Sequence, residues 1–99
     1  MASASISVQL VSEEPRTYRL AVRVRERGGE TTHIVTLGRD LLARLAPSAA
    51  PEDFVKRCFA FLLERESKES ILGRFDVSVI GHYFPDFEEA IAEPSRSDA

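Results

Sequence analysis

Residues 18–37 read YRLAVRVRERGGETTHIVTL, and apolar and polar side chains alternate along both halves of this stretch. Alternation with a period of two is typical of a strand that buries one face. The Gly28-Gly29 pair between the two runs favours a two-residue hairpin, because both central positions of a type I′ turn need positive φ. We therefore predict strands over 17–26 and 31–37, joined by a turn at these glycines.

A turn at Gly28-Gly29 also predicts which residues of the two strands lie opposite each other, beginning with Arg27 opposite Glu30. Farther along the strands, the apolar residues pair on one face and the arginines lie on the other. The predicted pairs are Val24–His33, Val22–Val35 and Leu20–Leu37 on the first face, and Arg25–Thr32, Arg23–Ile34 and Ala21–Thr36 on the second.

Residues 4–12 alternate in the same way and predict a first strand, which makes the sheet a three-stranded antiparallel meander. Its apolar side chains face the core only if the first strand lies in register with the second. The predicted neighbours are Ile6 beside Val24, Val8 beside Val22, and Leu10 beside Leu20. This parity requires a connection of three or five residues around 13–17, because four residues would turn the strand over.

After residue 38 the apolar residues recur at helical spacing. The main helix is predicted over 51–66, where Pro51 stands at the first position and acidic residues follow in the first turn. Its broad apolar face would cover one face of the sheet. That face consists of Phe54, Val55, Cys58, Phe59, Phe61, Leu62 and Leu63.

Shorter helical pieces are predicted over 39–46, 68–72, 77–84 and 86–92, although residues 75–84 also fit a strand. The expected fold class is α+β, with the helices packed on one sheet face. We expect a single domain over residues 1–92, followed by a mobile C-terminal tail over 93–99.

Composition narrows the class of protein. The chain has 99 residues, 43% of them hydrophobic, and its single cysteine cannot form an internal disulfide. It has no basic leader and no long apolar run, so we expect no signal peptide, no membrane segment and a cytoplasmic location. The net charge of −3 divides unevenly: seven Arg and five acids give +2 before residue 51, and six Lys or Arg and eleven acids give −5 after it.

Part of the second half resembles a segment of small bacterial proteins of unknown function. The resemblance implies a bacterial cytoplasmic context and no particular activity. It covers about a third of the chain, from Phe59 to Ile91. The residues that carry it are Phe61, Leu62, Leu63, Glu64, Arg65, Glu66, Glu69, Ser70, Ile71, Leu72, Phe75, Asp76, Tyr83, Phe84 and Pro85.

Three residues could support chemistry, but their surroundings in the sequence favour structural roles. Cys58 lies within the apolar face of the main helix, where a small buried residue is the usual assignment. His33 falls on the core face of the hairpin, and His82 follows Gly81. No nucleophile, phosphate-loop or zinc motif is present. We therefore expect no enzyme, cofactor or metal, and keep a small enzyme or ligand carrier around these three residues as an alternative.

Two surfaces are candidates for binding a partner. The first is the arginine-rich sheet face, formed by Arg19, Arg23, Arg25 and Arg27 with Ile34 among them. The second is an aromatic patch of Tyr83, Phe84 and Phe87. The leading hypothesis is a protein-interaction module, with another protein or a second copy as the partner. A nucleic-acid binder that uses the same arginines is the alternative, and both surfaces also fit ordinary structural roles.

Overall fold

The structure, a computed structural model, describes residues 4–93. Their fold is α+β: a four-stranded sheet in the order β1-β2-β3-β4 buries one face against helices. The strands are β1 (Ser5–Glu13), β2 (Thr17–Glu26), β3 (Gly29–Gly38) and β4 (Arg74–Asp76). The helices are α1 (Arg39–Leu45), α2 (Pro51–Leu63), α3 (Ser78–Tyr83) and α4 (Phe87–Ile91), and a 3₁₀ turn spans Lys68–Ser70.

The fourth strand makes the sheet mixed, which the sequence did not predict. β4 runs parallel to β3, and the pair is closed by hydrogen bonds from Ile34 N to Gly73 O (2.8 Å) and from Val77 N to Thr36 O (2.9 Å). The stretch 75–84 is therefore divided: it begins in a short strand and becomes helical at Ser78. The short strand pairs with backbone groups at the edge of β3, which a helix could not do.

The hairpin between β2 and β3 differs from the predicted register by two residues. Its turn is Arg27-Gly28, with φ of 53° and 78°, and Glu26 pairs with Gly29. The predicted opposite pairs, Arg27–Glu30 included, are therefore wrong, although a shift of two leaves every side chain on its predicted face. The observed pairs include Arg25–Glu30, Val24–Thr31, Arg23–Thr32, Val22–His33, Ala21–Ile34, Leu20–Val35, Arg19–Thr36 and Tyr18–Leu37.

Two contacts accompany the observed register. Glu30 lies opposite Arg25 and one step from Arg23, and its carboxylate forms ion pairs with both at 3.3 and 3.1 Å. A Cβ on Gly29 would lie 3.3 Å from Nζ of Lys68, whose side chain is buried over this end of the sheet. Gly29 thus lies close to the Lys68 side chain, whereas the positive φ values of the turn fall at Arg27 and Gly28.

The connection between β1 and β2 differs in length from the prediction, yet the side chains of β1 lie on their predicted faces. Ile6, Val8 and Leu10 pair with Val24, Val22 and Leu20 as predicted. However, four residues rather than three or five separate the last ladder pair, Glu13–Tyr18. A β-bulge at Val11 supplies the extra residue that returns the apolar side chains to the core face.

The core lies between the helices and one face of the sheet. Leu20, Val22, Val24, Val35 and Leu37 are 0–1% exposed. They pack in one cluster with α2, whose predicted apolar face is buried except for the half-buried Leu63.

The predicted helices are present within a few residues of their expected bounds, and the largest difference is the end of α2 at Leu63 instead of residue 66. Apart from Glu93, the predicted tail lies outside the described residues. Within residues 4–93 no helix has both the length and the apolar character needed to cross a membrane.

Candidate functional site

The helices cover one face of the sheet and leave the other face open. The open face is formed by the alternate side chains that point away from the helices. Along β2 these are Arg19, Ala21, Arg23 and Arg25, and β1 adds Ser5, Ser7 and Gln9. From β3 and β4 come Glu30, Thr32, Ile34, Thr36, Arg74 and Asp76.

Arginine dominates the charge of the open face. Arg23 and Arg25 share the Glu30 carboxylate, yet their side chains remain 61% and 69% exposed. Arg19 lies at the other end of β2, opposite Thr36, and has no ion-pair partner among residues 4–93. Exposed ion pairs of this kind contribute little to stability. The guanidinium groups are therefore available to another molecule.

The centre of the open face is apolar. Ala21 and Ile34 lie opposite each other and are both half-buried, and Gln9 and Arg74 flank them on the outer strands. A depression of about 410 Å³ lies over this part of the sheet, and its lining includes Gln9, Ala21 and Ile34. An apolar spot beside arginines resembles the centre and rim of a protein interface.

The structure corrects the predicted arginine cluster at two positions. Arg27 is exposed at the hairpin turn, so it does not belong to the row along β2 and does not pair with Glu30. Arg74 joins the face because β4 places it beside Ile34. The described face then has four arginines, Arg19, Arg23, Arg25 and Arg74, and two acids, Glu30 and Asp76, which gives 4 − 2 = +2.

The described part of the open face has no aromatic side chain. Tyr18 and Phe75 both lie on the opposite side of the sheet, where Tyr18 stacks under the Arg39 guanidinium and Phe75 packs near Phe59. Proteins that bind single-stranded nucleic acids usually stack bases on aromatic residues. The open face therefore offers charge to a nucleic acid but no stacking platform.

The predicted aromatic patch is only partly exposed. Tyr83 is 69% exposed and Phe84 is half-buried, whereas Phe87 is 1% exposed and packs edge-on against Phe61. Phe87 is a core residue and cannot belong to a surface patch. An apolar cleft of about 300 Å³ lies beside the other two, and exposed Leu72 also lines it. Such a cleft could take an apolar side chain, but nothing around it selects a particular partner.

His33 has a structural role at the β4 side of the sheet. It is 3% exposed, and its Nδ1 donates to the Leu72 carbonyl (2.8 Å). In that tautomer Nε2 accepts from the Thr31 hydroxyl (2.9 Å). The ring also lies 5.2 Å from that of Phe59. Both ring nitrogens are thus occupied, and the contacts hold the segment that leads into β4.

Cys58 and His82 lie in different environments. Cys58 is 0% exposed, and burial raises the pKa of its thiol to about 12, so the thiolate needed for nucleophilic attack is disfavoured. His82 is exposed on α3, where its Nδ1 lies 3.4 Å from the Ser78 carbonyl. Over the described range, neither residue forms a hydrogen bond with the other or with His33.

Two further findings bear on function. No three His, Cys, Asp or Glu residues within 4–93 cluster closely enough to hold a metal ion. Comparisons with family models, with curated proteins and with solved structures find no match to this chain.

Proposed function

We propose that this protein is a non-catalytic interaction module that binds an acidic segment of a protein partner on the open face. The observation that supports this most strongly is the combination of an uncovered sheet, a net charge of +2 and a half-buried apolar centre. A partner with carboxylates around one apolar side chain would complement this arrangement.

The energetic argument begins with the like charges along β2. Arg23 and Arg25 are two residues apart on the same face and share one carboxylate, and Arg19 has none within residues 4–93. Neighbouring like charges repel, and the planar guanidinium group can donate two parallel hydrogen bonds to one carboxylate. Carboxylates from a partner would therefore relieve repulsion and add directional hydrogen bonds at the same time.

The apolar centre distinguishes a protein partner from a nucleic acid. Burying Ile34 and Ala21 beneath a partner's side chain would add apolar area to the electrostatic attraction. A phosphate backbone offers charge but no apolar group to cover Ala21 and Ile34. Nucleic-acid binding through Arg19, Arg23 and Arg25 is the second candidate, and the lack of aromatic residues on the described face counts against it.

Peptide-display selection tests the proposal directly. Random peptides are selected on the wild-type protein and on a variant with Arg19, Arg23 and Arg25 changed to Glu. We expect acidic peptides with one apolar residue to be enriched on the wild type and lost on the variant. A matched control changes Arg16, Lys56 and Arg57 to Glu, which makes the same charge change at exposed positions away from this face.

Salt dependence separates the two candidates. Fluorescence anisotropy would measure binding of a selected peptide and of single-stranded and duplex DNA over a range of salt concentrations. Phosphate binding weakens steeply as salt rises, whereas a partly apolar interface weakens less. Tight, steeply salt-dependent DNA binding with no selected peptide would overturn the proposal in favour of a nucleic-acid binder.

A further inference from the structure

The outer edge of β1 has no backbone partner within residues 4–93. β1 spans nine residues, Ser5–Glu13, and within that range pairs only with β2. A strand at the edge of a sheet presents a row of free N–H and C=O groups that can pair with another strand. This edge is therefore a surface of a different kind from the open face.

The core is incompletely covered at the β1 edge. Ile6, Val8 and Leu10 point to the core side, but all three remain half-buried. Their neighbours on β2 are 0–1% exposed. Since the same face of the sheet is buried one strand away, another element beside β1 would complete the burial of these three side chains.

The sequence of β1 lacks the usual protection against edge pairing. Residues 4–12 contain no charged residue and no proline, the two features that commonly block an exposed strand. The bulge at Val11 interrupts the edge only near its end and leaves Ser5–Leu10 regular. A regular, uncharged edge of this length is suited to pairing.

We propose that β1 pairs antiparallel with β1 of a second copy of this chain, about a two-fold axis at Val8. In this register Val8 lies opposite its own symmetry mate, Ile6 opposite Leu10, and Ser7 opposite Gln9. The apolar residues thus meet on the core side and the polar residues on the open side. The two sheets become one eight-stranded sheet, independently of whether the open face binds an acidic partner.

Charge favours the antiparallel orientation for two copies paired at this edge. Glu13 follows the uncharged part of β1, five residues beyond Val8. In the antiparallel arrangement the two Glu13 residues lie at opposite ends, roughly 34 Å apart at 3.4 Å per residue. A parallel arrangement would place them side by side, where like charges repel. The antiparallel arrangement about this axis also keeps the apolar side chains of both copies on the same, core side of the joined sheet.

Analytical ultracentrifugation with charge-paired variants tests the proposal. The wild-type protein is expected to shift from 11.0 kDa toward twice that mass as its concentration rises. Ser7→Lys/Gln9→Lys places lysines opposite lysines across the axis, and Ser7→Glu/Gln9→Glu places glutamates opposite glutamates. We expect each variant alone to remain monomeric and an equal mixture of the two to restore the dimer.

Several results would overturn the proposal. They are a wild-type protein that stays monomeric at every concentration, charged variants that dimerise as the wild type does, or a mixture that fails to associate. Both positions are exposed, and circular dichroism would verify folding of each variant. A measurement without mutation is amide hydrogen exchange of the wild type: protection in residues 6–10 should rise with protein concentration, and a constant rate would contradict the pairing.

One variant distinguishes the peptide-binding proposal from the dimer proposal. Changing Arg19, Arg23 and Arg25 to Glu should abolish peptide binding and leave the dimer intact. Loss of the dimer in that variant would show that association uses the open face, and it would overturn pairing at β1.

Discussion

The two edges of the sheet are built in opposite ways. β4 contributes only three residues, two of them charged, and the chain turns directly into α3. β1 contributes nine residues, has no charge before Glu13 and leaves its core-side residues half-buried. The β4 edge is thus short and charged, and the chain continues from it directly into α3. The β1 edge is long and uncharged before Glu13, and within the described residues it has no backbone partner on its outer side. The difference indicates that, within residues 4–93, β1 offers a partner strand a longer and less charged edge than β4 does.

Reactivity of the Cys58 thiol gives the largest expected effect in this comparison. The thiol lies in α2, which contacts β1, and it is 0% exposed. If the core next to β1 excludes solvent, a disulfide reagent should label Cys58 at least about 10³-fold more slowly in the native protein than in denaturant. Comparable rates would show that the β1 edge opens as far as α2.

The same thiol predicts a loss of stability at high pH. Unfolded Cys58 ionises around pH 9.0, whereas the folded thiol stays protonated up to about 12. The unfolded chain therefore releases its proton first, and the free energy of unfolding falls as the pH rises through this interval. Urea denaturation of the wild type and of Cys58→Ala measures it. The decline should be smaller in the variant, and equal declines would contradict the raised pKa.

Matched valine truncations compare the packing of the inner strand beside β4 with the packing of the β1 edge. Val35 lies beside Phe75 of β4 and is 0% exposed, whereas Val8 lies on β1 and is half-buried. Val35→Ala should lower the free energy of unfolding by about 2–3 kcal/mol, and Val8→Ala by about 1 kcal/mol or less at low protein concentration. Denaturant unfolding measures both free energies, and equal losses would show that Val8 is packed as tightly as Val35.

The His33 contacts predict a smaller effect confined to the β4 side. His33→Leu keeps a large side chain but removes the donor to the Leu72 carbonyl and the partner of Thr31. We expect a loss of about 1–2 kcal/mol and faster amide exchange in residues 72–77. Thr31→Val removes only the second contact and should cost less. Unchanged exchange in His33→Leu would mean that other contacts hold β4 in place.

A substitution in the turn between β2 and β3 is expected to change the free energy of unfolding least. Arg27 has a φ of 53°, a conformation that asparagine adopts more readily than arginine. Arg27→Asn should therefore raise the free energy of unfolding by about 0.5–1 kcal/mol. Thermal unfolding tests this, with Glu26→Asn as a control at the neighbouring strand position. A lower melting temperature for Arg27→Asn would indicate that the arginine stem makes a stabilising contact.

Side-chain parity was the most predictable property of the fold. The period of two assigned Leu20, Val22 and Val24 to the core and Arg19, Arg23 and Arg25 to the open face, and the structure confirms both assignments. Parity survives a register shift of two residues, because it depends on alternation and not on which residues are opposite.

Register and the fourth strand depended on contacts that are distant in sequence. The Gly28-Gly29 pair suggested the wrong turn: the positive φ values fall at Arg27 and Gly28, and Gly29 lies instead beside Lys68, thirty-nine residues later. β4 is only three residues long, too short for a periodic pattern, so Arg74 was missed as a member of the open face. The sharing of Glu30 between Arg23 and Arg25 was missed for the same reason as the register.

The bulge at Val11 gives the β1–β2 connection a spare residue. Deleting Val11 would leave Leu10 opposite Leu20 and Ser12 opposite Arg19, so the ladder would simply become regular. Deleting one residue of the connection 14–17 could be absorbed as well, if Val11 took a place in the ladder. Deleting any single residue from 6–10 would instead move the side chains of the preceding residues to the opposite face of the sheet. Tolerance to changes of chain length is therefore concentrated at one end of this strand.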